Sequence, residues 1–186
     1  MEKELARRDT QRGGKYLGWF TAEEVVLAEA LATLIVPSAE ETPGIEEVGV
    51  LDPPAIVALD NLVAKSSYHQ HLYSHGLLAF DAWALKELGR KFAELPKEEQ
   101  IMLFRAAQHN YEHWTAGGSA LKKAWHRLRA LCQARNGSFF AAQLYPQIRD
   151  DCFRVFYTSR VSWTWLQYDG PPMDKGYSSL ATPRED

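Results

Sequence analysis

Two groups of side chains in this sequence have the types and spacing to hold a metal. His109-Asn110-Tyr111-Glu112-His113 matches an H-x-x-E-H pattern, in which two imidazoles on one helical face bind zinc beside a carboxylate that activates water. Such a site needs a third ligand, and the downstream Asp150-Asp151 pair is the source available. His69, His71 and His75 form the second group; on a helix His71 and His75 share a face while His69 points elsewhere, so two ligands at most converge locally. A five-residue pattern arises easily by chance, and this one is followed by Trp114 and a Gly117-Gly118 break. Half-exposed helix histidines are therefore the expected state of the first group, and polar surface or tertiary hydrogen bonding that of the second. An independent metal-dependent hydrolase using His109, Glu112 and His113 stays as the alternative reading of the chain.

Other chemistry is not legible. The Gly13-Gly14, Gly117-Gly118 and Gly170 sites lack the strand–turn–helix setting of a phosphate loop, and no G-x-S-x-G elbow occurs. Cys132 and Cys152 fit neither a zinc nor a haem-attachment pattern; buried thiols are expected, with one bridge between neighbouring helices as the alternative. Glu23-Glu24, Glu40-Glu41 and Glu98-Glu99 read as helix first-turn or loop charges rather than acid/base pairs. No catalytic, cofactor-binding or metal residue is assigned on these grounds.

The C-terminal stretch is more informative. Phe153, Phe156, Tyr157, Trp163, Trp165, Tyr168 and Tyr177 crowd into it, and Gly170, Pro171, Pro172 and Gly176 bar regular helix at its end. Large rings on such a segment need covering, either by the chain itself or by another protein. Trp and Tyr are enriched at interfaces, which favours Phe156, Tyr157, Trp163, Trp165, Tyr168 and Tyr177 as partner-binding residues.

The elements that carry these residues read as helices. Thr21-Ala22-Glu23-Glu24 is a capping box, flanked by Phe20 and Val25 as a hydrophobic staple, and Leu27, Ala28, Leu31, Leu34 and Ile35 follow at helical spacing until Pro37. Asp52-Pro53-Pro54 reads as the start of a second helix, with Asp52 as its cap. Helices are expected from about Tyr68 to Gly89, from Leu95-Pro96 towards Trp114, along the Leu121–Cys132 stripe, and from Phe139-Phe140 through a bend near Pro146. The expectation is an all-α, single-domain bundle of about six helices. Its parts are a flexible N-terminal segment (1–18), a helical domain (19–160) and an extended partner-binding tail (161–186).

Composition narrows the function classes. The 186 residues, 46 % hydrophobic and 24 % charged, suit one domain with a sizeable core. A net charge of −3 gives no electrostatic reason to expect nucleic acid or an anionic membrane. No window approaches the ~18 apolar residues of a membrane span. Arg7-Arg8 lacks the apolar stretch that a twin-arginine export signal needs.

Taken in order, several pieces resemble the gluconate 2-dehydrogenase subunit 3 family. They are Phe20-Thr-Ala-Glu-Glu24 leading to Leu34-Ile-Val-Pro37, Pro43-Gly-Ile-Glu-Glu-Val-Gly-Val-Leu-Asp52, and Tyr73 with Gly76-Leu-Leu-Ala-Phe-Asp81. Phe92-Ala-Glu-Leu-Pro-Lys-Glu-Glu-Gln100, Phe139-Phe140 and Phe156-Tyr157 complete the series. The resemblance implies a small, non-catalytic subunit without a cofactor of its own. Its implied partner is a large flavoprotein of the glucose–methanol–choline type that binds FAD and oxidises a sugar, often with a cytochrome c carrying electrons onward. Two features depart from the pattern: the twin-arginine signal is missing or vestigial, and Thr158-Ser-Arg-Val-Ser-Trp-Thr-Trp165 replaces a Gly-Gly-Asn-bearing end. Export beside a signal-bearing partner and a cytoplasmic location both remain compatible with the chain.

Overall fold

A computed structural model describes residues 18–50, 52–115 and 138–168. The chain forms an all-α domain. Its described helices are α1 (Ala22–Ile35), α2 (Ala55–Ala64), α3 (Ser67–Leu88), α4 (Lys97–Thr115), α5 (Ser138–Tyr157) and α6 (Arg160–Trp165), with 3-10 turns at Ile45–Val50 and Phe92–Glu94. Among the described residues there is no strand, only an isolated bridge between Ala39 and Thr42. The Leu121–Cys132 stripe lies outside them.

Local chemistry explains most helix ends. Both halves of the Thr21 capping box form: the Thr21 amide donates to Glu24 Oε2 at 2.9 Å and the Glu24 amide to Thr21 Oγ1 at 3.3 Å. Phe20 is buried ahead of it, and Leu27, Ala28 and Leu31 point into the core behind it. Ser66 caps α3 by accepting from the His69 amide, and Gly89 ends that helix in the left-handed region at φ 73°. The cap of α2 departs from expectation. Pro54, not Asp52, holds the cap position and makes no side-chain bond there. Asp52 instead accepts the Arg160 amide at 2.7 Å, so a residue read as a local cap is a long-range tether.

The core is organised around α5, which packs most extensively against α3 and then α4. Gly76 permits the first contact, since a Cβ there would land on the Leu144 side chain. The Tyr73 hydroxyl donates to Asp151 Oδ2 at 2.9 Å. With Tyr73 opposite Asp151 and Gly76 opposite Leu144, α3 and α5 run antiparallel. Pro146 sits inside α5, withdrawing one helical amide without ending the element. Phe80 and Phe92 meet edge to face at 5.3 Å, and Phe20, Leu31, Leu59, Leu77 and Ile148 fill the centre.

The segment expected to be extended from residue 161 is folded at its start, which corrects that boundary. Ser159 caps α6 by accepting from the Ser162 amide, and the Asp52 tether holds the first turn. Gln167, at φ 53°, stops the helix. The Tyr168 amide reaches back to the Trp163 carbonyl at 2.8 Å and the Gln167 amide to the Thr164 carbonyl at 3.2 Å, a Schellman ending.

Candidate functional site

The end of α5 and all of α6 place the aromatic residues read as partner-binding, and treat them differently. Phe156 is 3 % exposed and belongs to the core, which removes it from any docking surface. A helix with a 3.6-residue period cannot present adjacent Phe156 and Tyr157 to the same side, and the core took the phenylalanine. Trp163 is half-buried; its indole Nε1 donates to the Tyr157 carbonyl at 2.8 Å, and its ring meets Tyr168 edge to face at 6.1 Å. Phe153, Tyr157, Trp165, Leu166 and Tyr168 are each at least 38 % exposed. Phe153 lies 6.2 Å from Tyr157, and the buried Phe156 ring touches both Tyr157 (5.3 Å) and Trp165 (6.4 Å) from beneath. The result is an apolar surface on a rigid floor. Phe153 and Leu166 were missed as members of it because neither differs in type from the core residues beside it. Tyr177 lies outside the described residues.

Among the described residues the histidine groups do not gather a third ligand. His109, Glu112 and His113 are exposed on α4, the two rings stand 6.4 Å apart, and Gln108 Nε2 donates to Glu112 Oε1 at 2.8 Å. Asp151, one of the pair that the alternative metal reading offers as a third ligand, is buried and accepts from Tyr73 and from Gln147 Nε2 at 3.1 Å. Asp150 accepts from Arg149 at 2.8 and 2.9 Å. His71 and His75 share an exposed face with ring centroids 4.1 Å apart, and His75 Nδ1 faces the His71 carbonyl at 2.9 Å. Among the described residues no three His, Cys, Asp or Glu side chains converge on a point that could hold an ion.

The buried ionisable groups around α5 read as structural. Burial, and then the Asp151 charge, push the Tyr73 phenol well above its ordinary value. The same two causes, burial first, raise the Cys152 thiol, which keeps it protonated and unreactive. A half-open cavity of about 320 Å³ lies between α1, the 3-10 turn and α2, with Ile45 and Leu59 at its floor and Glu29, Thr33 and Glu46 at its lip. Its volume lies at the small end of the range for small-molecule pockets. Among the described residues no helix is long and apolar enough to cross a membrane.

Comparison with known proteins agrees with this architecture. The family model described as gluconate 2-dehydrogenase subunit 3 matches residues 22–170, from the capping box of α1 to just beyond the end of α6. No curated protein and no solved structure gives a significant match. Since that match takes in every described helix and most of the sequence, the chain belongs to the gluconate 2-dehydrogenase subunit 3 family, whose name marks it as an accessory subunit of a dehydrogenase complex.

Proposed function

We propose that this chain is the non-catalytic small subunit that binds and stabilises the FAD-containing large subunit of a glucose–methanol–choline-type sugar or polyol dehydrogenase. The observation that carries the reading is the surface of Phe153, Tyr157, Trp165, Leu166 and Tyr168, exposed on a capped and tethered end of the molecule. Rigid aromatic side chains lose little rotamer entropy on docking, and a floor already packed around Phe156 removes the cost of ordering them. Binding the folded large subunit and not its unfolded chain raises that subunit's stability by mass action. The flavin, held by the large subunit, would perform the oxidation, and a cytochrome c would take the electrons on.

Co-expression with the flavoprotein tests the reading. Tyr157→Ala and Trp165→Ala are each expected to weaken the complex by about 2 kcal/mol, close to thirty-fold in affinity. Both side chains are exposed, so the thermal midpoint of the small subunit alone should stay within a degree or two. Unchanged co-elution of the yellow partner, with undiminished dehydrogenase activity in the double variant, would remove this surface as the docking site.

A further inference from the structure

A second exposed surface runs along α3. Tyr68, His71, His75, Leu78, Ala82 and Leu85 follow one another along α3 at alternating steps of three and four, the period of a coiled-coil seam. All six are exposed, with Tyr68, Leu78 and Leu85 at 68 %, 53 % and 48 %. The opposite face, with Tyr73, Gly76, Leu77, Phe80 and Ala84, is the one buried against the core. From Ser67 to Leu85 the only formally charged residue is Asp81, and its carboxylate is engaged by the Phe92 amide at 2.9 Å. A solvated helix face ordinarily carries charges; their depletion marks the centre of an interface.

The pattern is also self-complementary. A two-fold axis level with the Gly76–Leu77 peptide sets Tyr68 against Leu85 of a second copy, His71 against Ala82, and His75 against Leu78. Each layer then pairs a first-type with a second-type seam position. The small Ala82 leaves room for the His71 ring, and no layer brings like formal charges together.

We propose that α3 is a self-association surface, through which two copies of this chain pair antiparallel as an isologous dimer. The six-residue seam covers roughly half of the ~800 Å² per partner that stable interfaces bury. The pairing is therefore weak and concentration-dependent, and it is independent of the aromatic docking surface.

Sedimentation of the full chain over a concentration series tests it. The mean mass should climb from one chain towards two into the hundreds of micromolar, and Leu78→Lys should hold it at one. A cysteine pair reads the register, and it can be read in the co-expressed complex too. His71→Cys with Ala82→Cys should give a covalent dimer without reductant, because the two sites lie about 16 Å apart along one helix and cannot bridge within a chain. Tyr68→Cys with Ala82→Cys is out of register and should not cross-link. A wild-type chain that stays monomeric throughout, or equal cross-linking by both pairs, overturns the proposal. So does a Leu78→Lys variant that loses the flavoprotein while the wild-type chain alone shows no dimer, which would give the seam to the large subunit. Loss of capture in Tyr157→Ala with dimerisation intact separates the two surfaces.

Discussion

Asp60 has no exposed surface, yet its carboxylate accepts the backbone amides of Gly18, Trp19 and Phe20. Three successive N–H groups converging on one carboxylate make a nest that replaces the water lost on burial. This bond set fixes the segment leading into α1 against α2, across some forty residues of sequence. Asp60→Ala should lose about 3 kcal/mol or more in urea unfolding, since it leaves buried donors without an acceptor. A loss below 1 kcal/mol would show that the nest is dispensable. Asp81 poses the opposite electrostatic case. Burial raises its pKa, outweighing the Phe92 amide, which lowers it. The charged form is thus less favourable in the folded than in the unfolded chain. Stability is fully present below the ordinary Asp value of about 3.9 and is lost as pH rises towards the raised folded value. Asp81→Asn keeps an acceptor for Phe92 and should raise the urea midpoint at neutral pH while flattening its dependence on pH above about 4. Midpoints measured from pH 4 to 7 check this; a steeper dependence in the variant would contradict it.

At the scale of elements, α6 shows how a very short helix persists. A helix of this length is not stable alone, because nucleation fixes several residues for few hydrogen bonds. Its stability comes from both ends: the Ser159 cap and Asp52 tether at the start, and the Schellman turn with its Trp163–Tyr168 contact at the finish. The turn demands a left-handed residue and finds Gln167 there, at φ 53°, where a side chain costs about 1 kcal/mol relative to glycine. Gln167→Gly should therefore raise stability by up to about 1 kcal/mol and slow amide exchange at Leu166 and Tyr168. Faster exchange at those two amides would mean that the glutamine side chain contributes to the turn.

At the scale of the whole molecule, two surfaces have different neighbours beneath them. The aromatic end rests on Phe156, which joins α6 to the core, so Phe156→Ala should cost about 3–5 kcal/mol of folding stability and release partner binding only as a consequence. Thermal unfolding of that variant beside Trp165→Ala distinguishes floor from surface: the first should melt early and the second should not. The antiparallel register of α3 and α5 also puts Tyr68 and Tyr157 at the same end of the bundle, where the seam on α3 begins.

Sequence alone determined the helical class, the capping box at Thr21, the glycine ending at Gly89 and the family, because each rests on spacing within a few residues or on ordered short motifs. It also located the aromatic C-terminal region, since composition there departs from the rest of the chain. Tertiary structure decided what spacing cannot encode. Asp52 left its local cap for an amide more than a hundred residues away, Asp151 turned inward to Tyr73, and the Ile45–Val50 segment formed a 3-10 turn that buries Ile45 and Val48. Most of all, it divided the aromatic residues between core and surface. Phe156 and Tyr157 are neighbours of similar chemistry, and only the packing of α5 against α3 and α6 says which is buried. Burial is a property of the partners across the fold, which no local window of sequence contains.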